Sequence, residues 1–262
     1  MARLFFFLVA ALVVRPMAGC ASPGAVAEEE VRWSEGALRD HLRQLVEPVP
    51  TDSAAVARRP QYAARRMQAA GLMPAREPSF LLRMRGGPLE PAPLAVPPQA
   101  HVLGYVAGRH PSFHDELVLV AADLDSPGAA AALEVARALV EEARYTQTPE
   151  RSVLFALWAP PRTGAQGLRD FLANPTWALP NVTRVLLVTT DTTAAAESRR
   201  ALEARGISTD MVTVDDQSVA GEGARPEVER ARTLVRTLRL TDELYRRIAA
   251  VTTTRDSTVA LP

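Results

Sequence analysis

The side chains that could do chemistry follow apolar runs. Asp123 and Asp125 come directly after residues 117–122, Pro161 and Arg162 after 152–158, and Asp191 after 182–188. If Asp123, Asp125 and Asp191 converge, three carboxylates could hold one hard cation such as Ca²⁺ or Mg²⁺, which takes oxygen ligands. The simpler reading is a solvated remnant neutralised by Arg162. His110 and His114 have a spacing seen in metal sites, but they sit in a Gly/Pro turn between two strands, where surface histidines without a ligand are expected. The chain has no G-x-S-x-G nucleophile elbow. Gly221-Glu222-Gly223 lacks the rest of a dinucleotide or phosphate loop. Glu134, Glu141 and Glu142 lie on one helical stretch and read as a solvated face, as do the mixed Arg and Glu of residues 226–251.

Composition removes several classes of function. The 262 residues carry 30 basic and 30 acidic side chains, so the formal charge of +0 argues against a nucleic-acid partner. All the basic residues are Arg, which excludes Schiff-base lysine chemistry and a phosphate-loop Lys. One Cys excludes an internal disulfide framework and a Cys-rich zinc site, and four His leave little material for a multi-histidine metal centre. Hydrophobic residues make up 47 %, enough for a substantial core.

The elements that must position those side chains are legible as alternating patterns. Residues 34–46 and 53–70 read as helices, the second stopped by Gly71. Residues 80–82 read as a short strand, and 84–99 as a proline-rich loop. Strands are expected at 102–106, 117–122, 152–158, 182–188 and 207–214. Helices are expected at 129–143, 164–173 and 194–204, with one or two amphipathic helices over 226–251. The run at 117–122 is apolar throughout, typical of a strand buried on both faces. Strands alternating with helices predict an α/β fold with a mostly parallel, mixed central sheet covered on both faces. In such sheets ligands bind beyond the carboxyl ends of the strands, which is where Asp123, Asp125, Pro161, Arg162 and Asp191 fall.

The first residues read as an address. Arg3, an apolar run at 4–14 too short to span a bilayer, and Met17-Ala18-Gly19-Cys20 resemble a bacterial lipoprotein signal. That resemblance implies a signal over residues 1–20, lipidation of Cys20 and a tether over 21–33. It also implies attachment to the bacterial cell envelope, with Ala21 after the Cys pointing to the outer membrane, facing the periplasm. A single peptidase-like α/β domain would then occupy 34–255.

A second resemblance lies in Val102-Leu103-Gly104-Tyr105-Val106-Ala107-Gly108, Leu117 to Asp125, and Phe155-Ala156-Leu157-Trp158. These segments resemble the di-zinc aminopeptidases of metallopeptidase family twenty-eight, which also includes glutaminyl cyclases and non-catalytic relatives. The resemblance covers roughly residues 35–191. It implies a zinc-aminopeptidase-like fold and, in active members, two zinc ions held by His and carboxylates, with a Glu as general base. Where the family has an H-x-D motif, this chain has Asp123 at the His position and keeps Asp125. The loop with the family's bridging Asp is missing, since Asp125-Ser126-Pro127-Gly128 runs straight into a helix. Pro161 and Arg162 replace the Glu–Glu pair. Asp191 matches a ligand position, but no His follows His114.

The expectation is therefore a catalytically inactive member of the fold, a pseudoenzyme acting in binding or scaffolding toward a peptide, a glycan or a protein partner, with no zinc or other cofactor. The alternative is an active metallo-aminopeptidase or other hydrolase with a site rebuilt at Asp123, Asp125 and Asp191. A third reading is a structural subunit of an envelope complex.

Overall fold

Why the long apolar runs become central strands is visible in their pairing. The computed structural model describes residues 33–47, 53–83, 90–91, 100–145, 149–159, 166–189, 192–213 and 226–253. The strands are β1 (Met73–Pro74), β2 (Leu81–Arg83), β3 (Glu90–Pro91), β4 (His101–Val106), β5 (Leu117–Asp123), β6 (Ser152–Trp158), β7 (Val182–Val188) and β8 (Ser208–Val212). They form one sheet in the order β3-β2-β4-β6-β5-β7-β8, with β1 paired to β4 off that path. The pairs β6–β5, β5–β7 and β7–β8 are parallel, while β4 runs antiparallel to β6, and β2 antiparallel to β4. β6 is buried at every position and β5 at all but its last, as strands covered on both faces must be.

The helices are α1 (Glu35–Leu45), α2 (Ser53–Ala70), α3 (Pro127–Tyr145), α4 (Gln166–Ala173), α5 (Thr192–Glu203) and α6 (Pro226–Thr253). Alternate strand residues point to opposite faces and so into two cores. Val118, Val120, Val153 and Phe155 pack with Ala63 and Met67 of α2, α3, and Leu240 and Leu244 of α6. Leu117, Leu119, Leu154 and Ala156 pack with Leu168 and Phe171 of α4 and Leu202 of α5. Phe155 is fully buried, and its truncation to Ala would cost about 3–5 kcal/mol.

Local signals end the helices where expected. Ser34 caps α1, its hydroxyl accepting from the Ala37 N–H at 3.2 Å. Gly71 and Gly206, which follow α2 and α5, have φ of +91° and +73°, a region open to glycine but strained for other residues. α3 is the hub of its layer, with a run of alanines, Ala129–Ala132, buried against its neighbours. α6 is a single helix of 28 residues. Its buried Thr237 and Thr241 are satisfied within the helix, each hydroxyl donating to the carbonyl four residues earlier at 2.7 Å.

Two expectations need correction. The proline-rich stretch at 84–99 is not loop throughout, because Glu90–Pro91 pairs with β2. The rest of that stretch lies outside the described residues. Glu134 is not on a solvated face: α1 lies across α3 there and buries it completely. Glu142 is half-buried and accepts from the Tyr245 hydroxyl of α6 at 2.7 Å, whereas Glu141 is exposed and pairs with Arg137. Among the described residues no helix is long and apolar enough to cross a membrane.

Candidate functional site

The carboxyl ends of β5, β6 and β7 meet because the three strands are parallel neighbours in register. Asp123 lies opposite Trp158, and Ala122 lies opposite Val188. The amide of Leu124 donates to the Trp158 carbonyl at 2.8 Å and holds the turn after β5 onto the end of β6. Ser126 then closes that turn, with its hydroxyl and its amide both donating to the Asp123 carbonyl, at 2.6 and 3.1 Å. The chain enters α3 at Pro127, a residue suited to a first helical turn because its missing N–H is not needed there. Gly128 packs on the end of β7, where an added Cβ would stand 2.7 Å from the Val188 carbonyl oxygen. No loop separates Asp125 from α3, which starts two residues later.

A small cavity of about 20 Å³ opens at these ends, lined by Ala122, Asp123, Trp158, Val188, Thr189 and Ser198 among others. That is space for about one water. Asp123 is half-buried beside it. Asp125 turns toward α2, where the guanidinium of the buried Arg59 comes within 3.8 Å of its carboxylate. The cation nearest this carboxylate in the described structure is thus Arg59, a residue the sequence reading did not single out. Pro161, Arg162 and Asp191 lie outside the described residues, as does Cys20.

His101 also reaches this end of the sheet. It begins β4, and because β4 runs antiparallel to β6 its first residue lies beside the last residues of β6. Its Nδ1 accepts from the Ala159 amide at 3.1 Å, which leaves the proton on Nε2, and its ring sits edge-on to Trp158 at 5.4 Å. Burial lowers its pKa to about 4, against a smaller upward pull from Asp170. A neutral ring whose Nδ1 is taken by a backbone amide packs the strand end and is not set up as a general base. His101 was missed because nothing local in the sequence tells which way its strand runs.

The remaining histidines are used by turns or helices. His110 Nδ1 accepts from the Ser112 amide at 3.1 Å and its ring stacks on Phe113, while His114 Nδ1 meets the Pro111 carbonyl at 2.9 Å. His41 of α1 is buried between α2 and α3, with Nδ1 2.7 Å from the Tyr62 hydroxyl and Nε2 3.9 Å from Glu134.

A pair of zinc ions needs several His and carboxylate donors around each metal. Among the described residues no three His, Cys, Asp or Glu side chains come together as a metal would require. The donors described at the strand ends, Asp123, an Asp125 faced by Arg59 and a His101 whose Nδ1 is taken by the Ala159 amide, do not fit that pair of ions.

No family model and no curated protein matches the sequence. Solved structures do. Glutaminyl cyclase of Porphyromonas gingivalis superposes with a TM-score of 0.51 at 11 % identity, over 84 % of this chain and 98 % of that one. LapB of Legionella pneumophila gives 0.48 at 10 % identity, over 85 % and 73 %. The LapA aminopeptidase of the same organism gives 0.42 at 10 %, over 81 % and 72 %. At such identities the similarity concerns the backbone. The chain therefore has a mixed α/β fold, a mostly parallel sheet flanked by helices, shared with the glutaminyl cyclase.

Proposed function

We propose that this chain is a lipid-anchored, catalytically inactive protein of the aminopeptidase-like fold that binds a peptide or protein partner at the bacterial cell envelope. The observation that carries the reading is the end of β5. Asp123 stands where the resemblance puts a zinc-binding His, and the turn after it runs without a loop into α3. Arg59 beside Asp125 adds support, because a guanidinium there opposes a second cation. Pro161 and Arg162 in place of the Glu pair remove the family's general base, a loss of about 10²–10⁴ in rate by itself. Cys20 in its signal-like setting supports lipidation and an envelope location, and the balanced charge speaks against nucleic acid.

The decisive experiment is metal analysis of the purified protein together with an aminoacyl-anilide hydrolysis assay. The expected result is substoichiometric zinc and no turnover. Stoichiometric zinc with turnover abolished by Asp123→Asn would overturn the proposal in favour of a rebuilt hydrolase site at Asp123, Asp125 and Asp191. Anchoring is tested separately by labelled palmitate, which wild type should incorporate and Cys20→Ser should not.

A further inference from the structure

A second cavity lies in the helix layer, away from the strand ends. It measures about 220 Å³ and is lined by His41 of α1, Arg66, Ala69 and Ala70 of α2, and Leu133 and Arg137 of α3. Leu133 and Arg137 stand roughly 9 and 15 Å along α3 from its first residue, at 1.5 Å per residue. Exposed Ala69 and half-buried Arg66 and Arg137 leave it open to solvent.

The charges around it are uneven. Arg137 is matched: its Nη2 and Nε donate to Glu134 Oε1 at 2.8 and 3.2 Å, and its Nη1 meets Glu141 from the solvent side. Glu134 Oε1 also accepts from the Ser34 amide at 3.0 Å. Glu134 Oε2 is buried and has no hydrogen-bond partner; the cation-forming group facing it is His41 Nε2, at 3.9 Å. Arg66, half-buried on the cavity wall, has no carboxylate within ion-pair distance among the described residues. Of the two guanidinium groups on the cavity wall, Arg137 is thus matched by Glu134 and Glu141, and Arg66 is the one without a carboxylate beside it, with a neutral imidazole between them.

We propose that this cavity binds a small oxyanion, a carboxylate or a phosphate, with Arg66 as its main counter-ion and Arg137 and His41 in its wall. A guanidinium presents a fork of N–H donors matched to such groups, and the volume suits a small anion better than a drug-sized ligand. Binding is coupled to protonation. The groups facing His41 are Tyr62 and Arg66 from α2, Glu134 and Arg137 from α3, and Asp40 on α1 itself. Burial first, and Arg66 next, hold His41 down to a pKa of about 4. An anion on Arg66 cancels that cation's effect, so the imidazole gains a proton more readily and can pair with the vacant Glu134 Oε2.

The test is NMR of the His Cε1–H signals of the full chain, four in all, during titration with sodium phosphate or sodium acetate at fixed pH and ionic strength. The His41 signal should shift saturably, and the two arms tell phosphate from carboxylate preference. The His41 titration midpoint should rise with the bound anion. Arg66→Gln should weaken binding by about tenfold or more, as expected for loss of a charge-assisted hydrogen bond. It should also raise the His41 midpoint with no anion present, because Arg66 is the second cause that holds it down. Arg39→Gln, an exposed α1 residue paired with Glu35, should bind like wild type. A shift that does not saturate in wild type, or equal shifts at all four histidines, would overturn the proposal without recourse to any variant. Unchanged binding by Arg66→Gln would do the same.

Discussion

Glu134 shows how much a single side chain can hold together. Its Oε1 joins the first amide of the α1 cap to the Arg137 guanidinium, and Oε2 waits opposite His41. A buried carboxylate is costly to desolvate, so its contribution is best read from removing it rather than from counting its bonds. Glu134→Ala strips the Ser34 amide and Arg137 of a partner at once and should lower unfolding stability by about 3–5 kcal/mol, measured by urea denaturation. Glu134→Gln keeps an acceptor oxygen and should lose less. Equal stability of the two variants would mean that the retained acceptor oxygen contributes nothing. At the strand ends, loss of the Arg59–Asp125 pair in Arg59→Leu should cost less, since the Asp125 side chain is 39 % exposed and water can solvate it.

At the scale of elements, the docking of α3 and the closing of α6 depend on close approaches. Gly128 lets the first turn of α3 rest against the Val188 carbonyl. Gly128→Ala would put a methyl where the oxygen is 2.7 Å away, and helix or strand must move, costing about 1–3 kcal/mol. Thermal unfolding of that variant is the check, and an unchanged Tm would show that the turn has slack. At the other end of the layer, Arg151 ties three elements. Its Nη1 donates to the Val251 carbonyl at 2.9 Å in the last turn of α6, its Nε meets Glu116 at 2.6 Å, and its guanidinium lies 5.0 Å from the centre of the Phe113 ring. A helix C-terminus leaves carbonyls unmatched, and a cation there is favourable. Arg151→Leu should speed amide exchange in the last turn of α6, read by hydrogen–deuterium exchange, while leaving the β5–β6 core protected.

For the whole molecule, the two fully enclosed histidines set an acid limit. His41 and His101 have folded pKa values lowered to about 4 from 6.5, chiefly by burial. Between those values the unfolded chain binds protons that the folded chain does not, so stability is complete above pH 6.5 and falls as pH drops toward 4. A shift of this size corresponds to about 3 kcal/mol for each histidine, a large share of the stability of an ordinary domain. Tm should therefore fall steeply between about pH 6.5 and pH 4.5, and His41→Gln with His101→Gln should flatten that slope. A wild-type Tm that is level across this window would contradict the burial of both rings as neutral groups.

The limits of the elements were written locally. Residues 153–158 and 185–188 are apolar runs, and β6 and β7 cover the expected ranges 152–158 and 182–188. Gly71 marks the end of α2 because the turn after it needs a positive φ. From such signals the α/β class and the strand-end position of Asp123 follow without coordinates. The partners were not local. β4 was legible as a strand, but only its antiparallel pairing with β6 carries His101 to the same end as Trp158. Glu134 sits at a helical position that charge alone assigns to water, and only α1 crossing over it decides otherwise. The same holds for Arg59 beside Asp125, and for Arg66, whose cavity exists only where three helices separated in sequence meet. Periodicity and end signals act over a few residues, so the chain alone determines its elements. Strand direction, burial of charge and the shape of cavities come from contacts between residues far apart in sequence, and these the tertiary structure decides.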